Sequence, residues 1–179
     1  MKETATTTEN VIEIKDLSIK FGAMQVLDGL TLELRKGENL VILGKSGTGK
    51  SVLIKCIVRL LKADSGMINI MGDEVNSMKF KELEDVRRKI GFLFQSGALY
   101  DSMTVRQNLE FPLRRMKEKI SNEEIETKIK EALENVGLPD AIDKMPSELS
   151  GGMRKRISLA RTIIVDPAIM LYDEPTTGL

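Results

Sequence analysis

The sequence of 179 residues contains no histidine, no tryptophan, a single cysteine (Cys56) and only 4 % aromatic residues. Imidazole is the commonest metal ligand and the usual base at neutral pH, so a histidine-built zinc centre and a serine–histidine relay are both excluded. One cysteine permits no internal disulfide. Charge of one sign is not in excess either, since 27 Lys and Arg balance 27 Asp and Glu. A nucleic-acid binder usually carries a basic surplus, so no nucleic acid is expected as a partner. The longest apolar runs, residues 40–43 and 168–172, fall far short of the ~20 residues needed to span a bilayer. Residues 1–10 are polar and threonine-rich, with no apolar stretch behind a positive start. They are expected to form a disordered tail and not a cleaved signal. The length suits one domain with a sizeable core.

What is present reads first as β. Residues 11–14, 17–21 and 30–34 alternate apolar with polar, with turn residues at Gly22, Asp28, Gly29, Lys36 and Gly37. Residues 39–43 then become an uninterrupted apolar run, the pattern of a strand buried on both faces of a parallel sheet. A glycine-rich turn and an apolar helix over 51–61 follow. Further strands are predicted at 67–70 and 90–94, with a charged helix around 79–89 between them. From 104 to 136 the pattern is helical and charged. Ser121 and Glu124 form a capping box there, and Ile125, Ile129, Leu133 and Val136 make one apolar stripe. Residues 151–164 predict another helix, and 168–172 a second buried strand. The expected organisation is a single domain over 11–179, with a core of 11–95 and 149–179 and a mainly helical insertion over 96–148.

Gly44, Lys45, Ser46, Gly47, Thr48, Gly49, Lys50 and Ser51 match the phosphate-loop spacing in full. The glycines let successive N–H groups converge on a phosphate where side chains would clash, and the following helix adds its positive end. Lys50 is expected to reach the β- and γ-phosphate oxygens, and Ser51 to complete a Mg²⁺ shell. Nucleotide binding is the reading, with ATP and Mg²⁺ as the bound groups.

Two carboxylates, Asp173 and Glu174, follow the apolar residues 169–172, which places them at the carboxyl edge of a sheet where ligands bind. Asp173 is read as a Mg²⁺ ligand and Glu174 as the base that polarises the attacking water, a carboxylate being the natural base where histidine is lacking. Leu149, Ser150, Gly151, Gly152 and Met153 open the helix over 151–164 and supply a hydroxyl, two glycines and a helix N-terminus. A second anion site in one chain makes sense if two chains stack head-to-tail, each capping the γ-phosphate held by the other's Lys50. Gln95, ending the strand over 90–94, is read as a Mg²⁺ or water contact, and Phe21 as a stack for adenine, with core packing the alternative for Phe21. Cys56 is read as packing, and Arg154, Lys155 and Arg156 as a solvated helix face.

On these motifs, in this order and spacing, the chain resembles the ATP-binding subunits of ABC transporters from residue 11 to 179. Residues 91–105 and 108–113, with Met153 in the last position of the signature, further resemble the phospholipid-trafficking branch of the Mla and Mce type. The resemblance implies an α/β fold: a P-loop NTPase with a RecA-like core, an N-terminal antiparallel β region and a helical insertion. It implies an ATPase that works as an ATP-sandwich homodimer on the cytoplasmic face of the inner membrane. The partners would be a membrane permease docking near residues 96–100 and a Mce-type substrate-binding protein.

The family pattern continues past Thr176, Thr177, Gly178 and Leu179 into an aspartate and then a switch histidine, and the sequence holds neither of these. A longer protein is therefore expected, with the C-terminal part of the core missing here, so that strands at 40–43 and 169–172 would face a gap with unpaired backbone groups. The 179-residue chain alone is expected to show little or no turnover. Two alternatives stand: a nucleotide-binding module without hydrolysis, and a relative acting on DNA or ribosomes. The second is disfavoured. DNA-acting relatives place a long coiled coil between phosphate loop and signature, whereas Lys50 and Ser150 are only 100 positions apart with no heptad array between them. Ribosome-acting relatives carry two nucleotide domains in one chain, where one is read here.

Overall fold

The computed structural model describes residues 9–94 and 98–173. Their contacts divide the chain after Arg87 into two units.

The first unit is built on an antiparallel sheet of order β2-β1-β3-β4, formed by β1 (Asn10–Phe21), β2 (Met24–Arg35), β3 (Ser65–Ile70) and β4 (Asp73–Glu74). Asn10, expected in the tail, already pairs with Arg35. The two segments predicted at 11–14 and 17–21 form one strand with a bulge. Ile12 and Ile14 are buried at even positions, Leu17 and Ile19 at odd ones. Strict alternation cannot give that without an extra residue. Asp16 supplies it at φ 49, and the register against both neighbours advances three residues in β1 for two in its partner there. A compensating bulge in β2, between Leu27 and Leu30, occupies the Asp28–Gly29 turn expected from sequence.

Helix α1 (Lys50–Ile57) buries Leu53, Cys56 and Ile57 and is shorter than the predicted 51–61. It stops because Arg59 turns left-handed at φ 52, which leaves Leu60 exposed. The carbonyls of Val58 and Arg59 just past that end are taken by the Arg87 guanidinium at 2.8 and 2.9 Å, and Arg59 itself donates to the carbonyls of Val75 and Met78. Two arginines thus fix the far end of the helix. Arg87 belongs to α2 (Phe80–Arg88), the charged helix expected around 79–89.

One expected strand does not form. Leu40, Val41, Ile42 and Leu43 lie outside both sheets and are 50, 75, 41 and 88 % exposed. A β-strand exists only as one side of a hydrogen-bonded ladder, and among the described residues no strand lies beside this segment.

In the second unit β5 (Ile90–Leu93) and β6 (Ile169–Tyr172) pair in parallel, with Ile90 opposite Ile169 and Leu93 opposite Tyr172. Three helices share one apolar core there: α3 (Val105–Leu113), α4 (Asn122–Asn135) and α5 (Gly151–Ile163). Val105, Leu109, Ile129, Leu133, Ile157 and Ala160 sit at its centre, so the helix that follows Ser150 packs with the insertion helices. The predicted capping box is present: Ser121 Oγ accepts from Glu124 N at 3.2 Å and Glu124 Oε2 from Ser121 N at 2.7 Å. These bonds from Ser121 lower the Glu124 carboxyl below its ordinary range.

Candidate nucleotide site

The first unit carries the phosphate loop, and the order of causes runs from β2 upward. A Cβ on Gly49 would lie 3.0 Å from Val26 Cγ1 and 3.1 Å from Leu27 Cδ2, and Gly49 adopts φ +95. Only glycine satisfies both demands, so the loop is seated against β2 at that point. Gly49 is also the N-cap of α1, whose first turn holds no acidic residue. The N–H groups at the start of a helix are unsatisfied from within it and attract anions. Lys50 Nζ donates to the carbonyls of Gly44 and Lys45, both at 2.9 Å, and Thr48 Oγ1 donates to the same Lys45 carbonyl at 2.9 Å. These bonds curl the loop back over its own lysine. A Cβ on Gly44 would come 2.8 Å from Thr48 Oγ1, whereas one on Gly47 would meet nothing within 4 Å. Lys45, Ser46, Gly47 and Thr48 form the exposed rim and Ser51 is half-buried on the helix. Phe21 lies at the tip of the β1–β2 hairpin, paired with Met24, and both are exposed, at 46 and 63 %. Its hairpin partner β2 carries Val26 and Leu27 against Gly49, so the aromatic ring and the loop share one hairpin as scaffold.

The second unit carries the rest. Ser150 is the N-cap of α5 and its Oγ accepts from Met153 N at 3.2 Å. Leu149 is buried at 4 % exposure in the helical core and Met153 packs against that core, so both position the turn. Gly151 and Gly152 differ: an added Cβ would meet nothing within 4 Å at either, and neither adopts a positive φ. Nothing among the described residues requires glycine at these places. Arg154 donates to the Leu149 carbonyl at 3.0 Å and Arg156 to that of Val136 at 2.9 Å. The basic run expected as a solvated face is therefore in part a backbone clamp, with Arg156 closing the end of α4. Asp173, which follows β6, is 6 % exposed and its N–H donates to the Leu93 carbonyl at 3.1 Å. Gln95 and Glu174 lie outside the described residues.

Residues 27–177 match the family described as ABC transporter. The chain belongs to the ABC transporter family. Its elements are those of a P-loop ATP-binding domain, and the ATP-binding cassette MJ0796, in a dimeric post-hydrolysis state bound to ADP and Pi, superposes with a TM-score of 0.86. That likeness is at 32 % identity and covers 94 % of this chain and 75 % of the other. The "Probable ribonucleotide transport ATP-binding protein mkl" of Mycobacterium leprae is 45 % identical over 94 % of this chain and 48 % of its own length. The "Intermembrane phospholipid transport system ATP-binding protein MlaF" of Haemophilus influenzae is 41 % identical over 95 % of this chain and 64 % of its own. The chain thus spans about half the length of the first relative. Relatives with different printed substrates match it about equally well, so membership of the ABC transporter family does not single out the phospholipid branch.

Two residues that sequence reading passed over also shape this unit. Asn108 is fully buried in α3. Its Oδ1 accepts from Tyr100 N at 2.8 Å, and its Nδ2 donates to the carbonyls of Tyr100, Met103 and Thr104 at 3.0–3.1 Å. An asparagine on the apolar stripe of Val105, Leu109 and Leu113 was the available signal. Arg161, on α5, donates to the Ala98 carbonyl.

Proposed function

We propose that the chain is the ATP-hydrolysing subunit of an ABC transporter, working as a head-to-tail pair that drives a partner membrane permease. The observation that carries this reading is the phosphate loop: a glycine-seated turn, a helix N-terminus without acidic residues, and Lys50 held over it by two carbonyls at 2.9 Å. A triphosphate replaces those two carbonyls as the partner of Lys50, while the loop N–H groups take its β-phosphate and Phe21 stacks on the base. The donors assigned to Mg²⁺, Ser51 and Asp173 with Gln95, are all hard oxygen donors and suit that ion, which would neutralise phosphate charge when bound. Glu174 orients and deprotonates the attacking water. In the pair, Ser150, Gly151 and Gly152 of one copy cap the γ-phosphate held by the other, and the open space around both glycines supports such an approach by an outside group. ADP lacks the γ-phosphate, so ATP favours the closed pair and its hydrolysis releases it.

For the substrate we propose phospholipid or another hydrophobic molecule, with a Mce-type binding protein in the assembly and the subunit on the cytoplasmic face of the inner membrane. Residues 91–105 and 108–113 and the likeness to MlaF support this. Among the described residues no helix is long and apolar enough to cross a membrane, which fits the need for a separate permease. The likeness to mkl favours a second reading, a polar nucleotide-type substrate.

Steady-state ATPase assays on the complete gene product with its permease test the first part. K50A is expected to lower turnover by roughly 10²-fold or more. E174Q is expected to arrest it by about 10²- to 10⁴-fold with ATP binding retained. Wild-type turnover by E174Q would remove Glu174 from its role. Transfer of a fluorescent phospholipid between vesicles, dependent on ATP, tests the substrate; ATP-driven uptake of a ribonucleoside with no lipid transfer would favour the second reading.

A further inference from the structure

Arg154 stands one turn beyond the Ser150 cap, on the same face of α5, and its side chain runs back past the cap. Its Nη1 donates to the Leu149 carbonyl at 3.0 Å and, at 3.5 Å, to that of Pro146. Both carbonyls belong to the stretch that leads into α5, a 3-10 turn over Pro146–Glu148 followed by Leu149. That turn is closed on itself, since Met145 N donates to Glu148 Oε2 at 2.6 Å and Leu149 N to the Pro146 carbonyl at 3.2 Å. On the helix side Arg154 is tied at its backbone. Its N–H donates to the Ser150 carbonyl at 2.9 Å, and its carbonyl accepts at 2.8 Å from Oγ of the buried Ser158. Ser150 thus sits between a closed turn and a helix, and one guanidinium nitrogen spans the joint.

Folding alone gives little reason for a cation there. The dipole of a helix disfavours positive charge in its opening turns, and α4 accordingly begins with Glu123 and Glu124. Helix α5 instead carries Arg154, Lys155 and Arg156 within its first two turns and no acidic residue along its length. Arg154 is also exposed, and Leu149 already anchors the entry to α5 by its burial in the helical core. What Arg154 adds is order in the backbone on both sides of Ser150. Gly151 and Gly152, around which an added Cβ would meet nothing within 4 Å, bring no order of their own.

We propose that Arg154 is a positioning residue for the capture of phosphate between copies. By holding the carbonyls of Leu149 and Pro146 it fixes the turn that presents the Ser150 hydroxyl and the N–H groups after it. Two flexible glycines at a binding surface lose entropy on capture, and a clamp made before the nucleotide arrives reduces that loss. The role is indirect: Arg154 works through Ser150, Gly151 and Gly152. The proposal rests on the head-to-tail reading given above.

The test uses the complete gene product. R154M keeps the reach of the side chain and removes its donors. In sedimentation velocity of the E174Q protein with Mg²⁺ and ATP, adding R154M is expected to raise the concentration needed for pairing about tenfold or more, since a loose surface binds more weakly. With Glu174 intact, kcat of R154M is expected to fall about tenfold or more. Affinity of the unpaired chain for ATP is expected to stay within about twofold, because the phosphate loop is built in the first unit. The melting temperature is expected to stay at the wild-type value. Hydrogen–deuterium exchange over residues 149–154 is expected to speed up in R154M without nucleotide. R154K is expected to recover most of pairing and kcat, because both bonds come from one nitrogen and an ammonium can copy them. An R154M that pairs and turns over like the wild type overturns the proposal, as does an R154K no better than R154M. A variant that fails to fold, or that melts earlier in step with its loss of activity, places Arg154 in stability and overturns it as well. A wild-type protein that binds ATP and never pairs overturns the head-to-tail reading instead. The clamp then stands with faster exchange over 149–154 in R154M and falls with unchanged exchange.

Discussion

At the scale of single residues, the two glycines after Ser150 give the sharpest separation between folding and function. Each occupies the first turn of α5 with open space around it, so alanine there costs nothing in packing. Helix propensity favours alanine over glycine by up to about 1 kcal/mol. G151A and G152A are therefore expected to keep or raise the melting temperature while lowering ATP turnover about tenfold or more, since a methyl group there blocks close approach to phosphate. Thermal unfolding and ATPase rates on the same samples check this, and a loss of both together would mean the glycines serve the fold. Phe21 makes a second case. F21A is expected to raise the ATP dissociation constant by up to about tenfold, the range of an aromatic stacking contact, with little change in stability because the ring is half exposed. Calorimetric titration with ATP reads it directly; unchanged affinity assigns Phe21 to packing. Much at this scale was legible, because a phosphate loop is a local spacing whose physics demands particular residue types. Arg154, Arg156 and Arg161 were not legible, since their carbonyl partners lie 5, 20 and 63 residues away and a run of basic residues carries no mark of them.

At the scale of elements, α3 and α4 carry polar contacts at their starts and sides besides their apolar stripe. Ser121 and Glu124 cap α4, and Arg106 of α3 pairs with Glu126 of α4. The Arg106 hydrogen bond lowers the Glu126 carboxyl below its ordinary value, as the Ser121 bonds lower that of Glu124. A carboxyl depressed in the folded state contributes stability that is fully present above its unfolded value, near 4.3, and is lost as pH falls through the folded one. The start of α4 is thus expected to loosen below about pH 4, read by amide exchange at its first turn, and E124Q is expected to flatten that dependence. Both groups are solvent-exposed enough that the effect is small and salt-sensitive for the ion pair. Asn108 is the opposite case. N108A leaves the backbone groups of Tyr100, Met103 and Thr104 without their buried partner and is expected to destabilise the protein by about 2–4 kcal/mol in chemical denaturation. The capping box of α4 and the alternation along β1 were readable because both are periodic and short-ranged. The bulge at Asp16 was not read: the alternating segments at 11–14 and 17–21 stand apart in the sequence reading, and the change of parity between Ile14 and Leu17 that joins them went unused.

At the scale of the whole molecule, sequence pattern is weakest where an element depends on a distant neighbour. Residues 40–43 have the composition of a central strand, yet they stand exposed, because apolar content says what a strand could bury and nothing about which ladder receives it. The pairing of β5 with β6, 79 residues apart at Ile90 and Ile169, was equally beyond local reading. Function in the proposed reading is also a relation between copies. There the phosphate loop of one copy and the serine–diglycine helix tip of the other serve a single nucleotide. The most direct measurement is therefore sedimentation velocity of the complete gene product carrying E174Q, with Mg²⁺ and either ATP or ADP. ATP is expected to double the sedimenting mass and ADP to leave it unchanged, while G152A in the same background binds ATP and stays single. Saturating ATP on a protein that remains single would contradict the account.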